Sequence, residues 1–286
     1  MKRHLLPLAA LLGVFALLYF RFGDYRFSDP DQYFHFAVSR HLAETGDLWT
    51  LPSVKGLGWD KHFTDKEFLF HVFTALGYRV SGESGVRAVA FLSSFGILSL
   101  IYLITHQVTR KPLVSLFAAV APLSMGTFIH VLLVIRAYLP AVFLLLVMVL
   151  GILRGSKRGV FAAGVFYSLT YHALQMPLFV LFVWWAVQHL RGERDHLALH
   201  GIAGLAAGTV INPYFPSNVA MTLVHVQVAL SQFQPTGLDF GPEQAPYRSD
   251  GFLFVFRYVF LFLGLNLAVL WLKSPASRQV RKTTEE

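Results

Sequence analysis

The stretch AVAFLSSFGILSLIYLIT at 88–105 carries no charged residue. A run of that kind approaches the roughly 20 apolar residues needed to cross a bilayer, and it constrains the fold more than any other feature. Comparable segments recur at Leu5–Phe20, Val86–Gln107 (which contains that stretch), Leu113–Ile129, Val131–Leu153, Val160–Tyr171, Leu174–His189, Leu197–Ile211 and Phe252–Leu272. Of the 286 residues 55% are hydrophobic and only 14% charged, with 27 phenylalanines. A water-soluble domain would have to bury nearly all of this apolar surface, so the reading is an all-α polytopic membrane protein with about eight transmembrane helices. Lys2, Arg3 and His4 precede the first apolar run, and no small-residue cleavage site follows before Arg21, so that run reads as a retained helix.

The formal charge of +8 does not point to nucleic acid, because the cations sit at the ends of apolar runs rather than among aromatics on one polar face. They act as topology signals. With eight crossings, Lys2 and Arg3, Arg110 and Lys111, Arg154 to Arg158, Arg191 to Arg194, and Lys273 to Lys282 share one face, which the positive-inside rule makes cytoplasmic. Both termini then lie inside. A transmembrane domain is expected over 1–273, with external loops at 21–85 and 212–250 and a polar cytoplasmic tail at 274–286. Most of the 16 acidic residues fall in the two external loops.

The first external loop has its own order. Phe34, Val38, His41 and Leu42 have helical spacing over Tyr33–Thr45, Gly46 ends the run, and Asp29 or Asp31 can cap its start. A second apolar helix is expected from about Lys66 to Val80. Two helices lying at the interface fit this pattern better than two more crossings.

Chemistry-bearing residues gather at the same face. Asp31 stands near a helix start beside Tyr33, His35 and Arg40, where a carboxylate could serve as a general base or hold a divalent cation. Asp29 could take that role or simply cap the helix. Lys66, between Asp65 and Glu67, is placed to meet a lipid phosphate at headgroup level, with His71 about one turn beyond Glu67. Arg136, His172 and Arg257 lie near outer helix ends, where ionisable groups are costly unless used. With no cysteine in the chain, any metal must be held by oxygen or imidazole. Asp31 is the candidate ligand for a magnesium or manganese ion, which the reading does not require. Carboxylates from a loop and cations from helix tops suit a phosphate-linked lipid donor presented to a base. The sequence INPYFPSN at 211–218 reads as a rigid turn lining the outer cavity, or as a plain helix stop, and Gly201, Gly204 and Gly208 as a close helix contact.

The stretches DPDQYFHFAVSRHLAETGDLW and TDKEFLFHVFTALGYRVSGESGVRAVAFLSSFGILSLIYLI resemble the N-terminal module of the GT-C membrane glycosyltransferases. The nearer likeness is to the protein O-mannosyltransferase and lipid A aminoarabinose transferase group, and a more distant one is to the oligosaccharyltransferase catalytic subunit. It covers about the first 110 residues. Asp31 or Asp29 stands where the family has its catalytic aspartate, and Arg40, Leu42, Glu44, Thr45, Gly46 and Asp47 match a helix-end motif. Asp65-Lys66 matches an acidic-Lys pair whose lysine approaches the donor phosphate. Two departures are plain: Asp-Lys-Glu replaces Glu-Lys-Pro, and HVLLVIRAYLP at 130–140 carries Arg136 where an oligosaccharyltransferase has an acid.

The resemblance implies a transferase of the bacterial inner membrane and cell envelope. It would move a sugar from a polyprenyl-phosphate donor to a lipid, glycan or protein acceptor on the extracytoplasmic side. Asp31 and Asp29 would be catalytic, and Lys66, Arg136, Arg257 and His172 would bind the donor phosphate. Tyr33, His35, Arg40, Asp65, Glu67 and His71 would support them. The alternative is a non-catalytic polyprenyl-lipid scaffold or flippase-like carrier, which the short chain and absent second acidic motif favour.

Overall fold

The computed structural model describes residues 2–22, 30–193 and 195–231. These residues are helical and include no strand. Eleven α-helices follow in order: α1 (Lys2–Phe22), α2 (Pro30–Thr45), α3 (Phe68–Ser81), α4 (Glu83–Thr109), α5 (Pro112–Val120), α6 (Gly126–Leu133), α7 (Tyr138–Leu153), α8 (Lys157–Thr170), α9 (Gln175–Leu190), α10 (Leu197–Ile211) and α11 (Ser217–Ser231). The contacts divide the chain into two units, Met1–Gln227 and Val228–Glu286. Of the second, only the last turn of α11 is described.

The expectation of eight full crossings is not met by helix length. Two described helices are long and apolar enough to cross a bilayer, His4–Arg21 within α1 and Glu83–Thr109. The apolar helices α7, α9 and α10 have 16, 16 and 15 residues. At 1.5 Å per residue they span about 22–24 Å, short of a hydrocarbon core of about 30 Å. The expected crossing at Phe252–Leu272, the tail at 274–286 and residues 232–250 of the expected second external loop lie outside the described residues.

The expected crossings Leu113–Ile129 and Val131–Leu153 are redrawn by two helix breaks. Ala121–Ser124, containing Pro122, tightens into a 3₁₀ turn. Val134 then turns extended, and α7 starts only at Tyr138. Pro140 explains this second break: it has no N–H for the carbonyl of Arg136, so a helix from α6 cannot run through. Leu139 N donates to that carbonyl instead, at 3.2 Å. The groups freed by the break are satisfied by neighbours: Ile135 N donates to Gln32 Oε1 on α2 at 3.2 Å, and Ser94 Oγ on α4 donates to the Leu132 carbonyl at 2.6 Å.

Residues 30–81, within the expected first external loop, fold as two helices and a strapped connection. Pro30 opens α2, where its missing N–H costs nothing, and Asp31 puts a negative charge at the positive end of the helix dipole. Gly46, at φ 73°, ends α2 in the left-handed region as its N–H donates to the Leu42 carbonyl at 3.0 Å. The chain between α2 and α3 folds back on itself, with Leu51 N donating to the Trp59 carbonyl and Phe63 N to that of Trp49. Leu51 and Phe63 pack with Val38 of α2. Gly82 alone separates α3 from α4. The two helices cross so tightly there that a Cβ on Gly85 would collide with the Gly77 carbonyl.

Two apolar clusters hold the first unit. One joins Leu11 and Phe15 of α1, Phe70 of α3, Val86, Ile97 and Tyr102 of α4, and Ile135 with Leu139 around the break. The other joins α7, α8, α9 and α10 through Met148, Val160, Tyr167, Leu181 and Leu205. The α8–α10 seam is built on glycine, as the sequence suggests: Cβ atoms on Gly204 or Gly208 would collide with the carbonyls of Phe161 and Val165.

Candidate functional site

The N-terminal ends of α2 and α3 meet beside the break at Val134–Ala137, and polar side chains converge there. Ser39 and Thr74 fix the register of the two helices by a hydrogen bond of 2.6 Å between fully buried hydroxyls. One turn nearer the helix starts, this register brings His35 against His71, with Nδ1 of the first 2.9 Å from Nε2 of the second. His71 Nδ1 lies 2.6 Å from Asp65 Oδ2. Since a carboxylate can only accept, this nitrogen carries a hydrogen. Glu67 precedes α3, and its Oε2 approaches His35 Nδ1 at 3.6 Å. That contact is longer than a hydrogen bond, and Oε2 is buried without a hydrogen-bond partner.

Burial sets the charges in this group. It disfavours the imidazolium of His35, and His71, Arg136 and Lys66 push the same way, so His35 stays neutral well below the usual histidine range. Burial raises Glu67 above the usual carboxylate range, Lys66 and His71 offset part of the rise, and Asp65 and Asp31 add to it. At His71 burial works against the charged ring, but the charge and hydrogen bond of Asp65, helped by Glu67, outweigh it and hold the group above its ordinary value.

Asp31 stands at the rim, its side chain 59% exposed, with Oδ2 3.0 Å from Arg136 Nη1. The sequence reading of Arg136 as a cation near the end of a helix is therefore corrected. It lies in the non-helical link before α7, and its guanidinium holds Asp31. Asp31, His35, Asp65, Lys66 and Glu67 all open onto one cavity of about 300 Å³, whose remaining wall includes Phe34, Trp59 and Phe63. Lys66 also lines a second cavity of about 110 Å³ with His172, Ser168, Asn212 and Asn218. The INPYFPSN turn thus forms part of a cavity wall. Asn212 Oδ1 accepts from Tyr214 N at 3.0 Å, and the Tyr214 hydroxyl reaches back to the Leu48 carbonyl.

Most of the expected site residues come together here, with two exceptions and two outside the described residues. Arg40 is exposed and bonded to Glu44 at 2.8 Å, one turn along α2. It sits nine residues past Asp31, about 14 Å up the helix, too far to serve the same cavity. Tyr33 is 58% exposed and is not in the wall of either cavity. Asp29 and Arg257 lie outside the described residues. Asp31, the candidate ligand should an ion be held, stands apart from the cluster of ligating atoms. The described residues whose ligand atoms lie within 4.8 Å of one another are His35, Glu67 and His71, while Asp31 faces a guanidinium. Sequence reasoning missed Gln32, Ser168, Asn212 and Asn218. For Ser168, Asn212 and Asn218 the available sign was a polar side chain inside or at the end of an apolar helix. No protein-family model, curated protein or solved structure matches the chain.

Proposed function

We propose that the chain is an integral membrane glycosyltransferase that takes a sugar from a polyprenyl-phosphate donor on the extracytoplasmic face. One observation carries the reading: a carboxylate and an ammonium, Asp31 and Lys66, open onto the same cavity, and Lys66 also lines a second, polar one with His172. The donor phosphate would sit at Lys66 and His172, with its sugar in the larger cavity. A volume of about 300 Å³ is at the small end for ligand pockets and suits a monosaccharide. Asp31 would orient the acceptor and take its proton as the acceptor oxygen bonds to the anomeric carbon. The bond from that carbon to the phosphate oxygen would break, and the polyprenyl phosphate would leave with its charge met by Lys66. Arg136, held on Asp31, would position the carboxylate rather than bind phosphate.

The membrane setting is supported by what the fold leaves outside. Leu6, Phe20, Val80, Leu113 and Leu190 are each at least 80% exposed, and Phe117, Phe179 and Leu17 point outward too. So much bare apolar surface is unfavourable in water and natural in lipid. In this reading α7 to α10 are short spans, matched by local thinning of the bilayer or by flanking polar residues reaching the interface.

The test is the full chain in lipid nanodiscs, given a panel of radiolabelled polyprenyl-phosphate sugars, with release of sugar to water or acceptor followed alongside lipid binding. Release from one donor, weakened by Lys66→Ala, is the expected result. Tight binding of donor lipids without release would refute catalysis and leave a lipid-binding scaffold.

A further inference from the structure

We propose that His35, Glu67 and His71 form a binding site for a divalent first-row transition-metal ion, held by two imidazole nitrogens and one carboxylate oxygen. The site stands on its own geometry and does not depend on the sugar-transfer reading.

The distances favour a shared ion. Metal–imidazole bonds are about 2.0–2.1 Å, so nitrogens 2.9 Å apart, as in His35 Nδ1 and His71 Nε2, subtend an angle of about 90° at a common ion. The same reasoning gives about 120° between His35 Nδ1 and Glu67 Oε2 at 3.6 Å. The third side, Glu67 to His71, lies within 4.8 Å, and Glu67 Oε2 has no hydrogen bond to break as it moves toward an ion. Two imidazoles and a carboxylate on one side of an ion, with further positions open, suit zinc, iron(II) or manganese(II) rather than calcium, which prefers an all-oxygen set.

The surroundings are those of a built site. All three residues are buried: His71 is fully enclosed, and His35 and Glu67 are each 5% exposed. Asp65 holds His71 Nδ1, which leaves Nε2 directed at the ion, the outer carboxylate–histidine arrangement that orients metal ligands. Asp65 itself is fixed by accepting from Glu67 N at 2.8 Å. Without an ion, a buried carboxylate oxygen lacks any hydrogen-bond partner, an arrangement that costs free energy. Lys66 and Arg136 are the fixed cations acting on this group, and Arg136 is offset by Asp31. On binding, the hydrogen now between His35 Nδ1 and His71 Nε2 would give way to the ion, passing to His35 Nε2 when both rings are neutral and to solvent when the pair carries an extra proton. His35 and Glu67 line the 300 Å³ cavity, so an incoming ion has a path and keeps an open side toward it.

The experiment uses the full chain in nanodiscs, purified without a histidine tag and stripped with EDTA. Zn²⁺ is titrated against a chromophoric chelator, and Co²⁺ is added to a second sample to read its visible absorption. The expected result is one tight equivalent per chain and a Co²⁺ band that Zn²⁺ abolishes. Glu67→Gln and His71→Ala remove both signals, Asp65→Asn weakens binding by about 10- to 100-fold, and Arg40→Gln changes nothing. Glu67→Gln keeps the side-chain shape, and its unfolding midpoint in EDTA checks the fold. If it does not fold, His35→Gln on the other helix carries the same expectation. A stoichiometry far below one, or binding that persists in the ligand variants, overturns the site. Neither result depends on sugar release, so the metal site and the transferase reading fail separately.

Discussion

Replacing Asp31 by asparagine keeps the side-chain shape and removes one charge, so it separates a catalytic carboxylate from a structural one. Its ion pair with Arg136 spans 3.0 Å. At that distance, two unit charges in a fully aqueous dielectric attract by about 1.4 kcal/mol. Asp31 is 59% exposed and Arg136 30%, so screening and side-chain ordering reduce the net contribution to about 0–1 kcal/mol. The variant should therefore unfold within about 4 °C of the unaltered chain. Loss of a general base, by contrast, slows turnover by about 10²- to 10⁴-fold. The assay pairs single-turnover sugar release in nanodiscs with thermal unfolding of the same preparation. Turnover close to that of the unaltered chain would refute the assignment of Asp31. A loss of activity matched by a large fall in the unfolding midpoint would make Asp31 a structural residue.

Gln32→Leu should cost about 1–3 kcal/mol of stability, because it leaves the buried Ile135 N–H without its acceptor, and thermal unfolding reads the loss. Gly204→Ala should cost about 1–3 kcal/mol or more by driving α10 off the Phe161 carbonyl, again read by unfolding. Burial disfavours the Asp195 carboxylate, but hydrogen bonds from Leu197 N and Trp184 Nε1 outweigh it and lower its pKa. Its contribution is therefore full above the ordinary value of 3.8 and lost as pH falls through the lowered folded value, and Asp195→Asn should remove that part of the acid sensitivity. Trp184 fluorescence in an acid titration checks it. Because the chain has no cysteine, single replacements need no background correction. Lys61→Cys should react with an impermeant maleimide on intact cells, and Lys157→Cys only after permeabilisation.

The parts of the fold legible in the sequence are those set by local chemistry. Gly46 marks the end of α2 because only a left-handed residue closes that turn, and the glycines of α10 mark a seam because nothing larger fits. The break at Val134–Ala137 was not legible, since Val131–Ile135 is apolar throughout and hides it. Pro140 was the available sign, nine residues past the start of the expected crossing Val131–Leu153. At the site, Asp31, Lys66, Glu67 and His71 could be singled out because charge beside apolar runs is costly. That His35, Glu67 and His71 share one point depends on the Ser39–Thr74 register between two helices, which no spacing along the chain encodes. Arg40 was misassigned for the same reason. Five residues past His35, it is turned by about 140° around α2 and faces away.

The single-residue link at Gly82 ties the site to α4, the longest of the described helices. With 27 residues, α4 is about 40 Å long, while its charge-free stretch at 88–105 measures about 27 Å, so a bilayer thinner or thicker than that stretch would change its tilt or the length of helix left outside. The Gly77–Gly85 contact leaves no slack between α4 and α3, which carries His71 one turn from its start. Tilt in the long helix would therefore be delivered to the imidazole pair as a rotation of α3 against α2. In the proposed membrane reading, the acyl-chain length of the surrounding lipid would bear on the geometry of the site from outside the pocket.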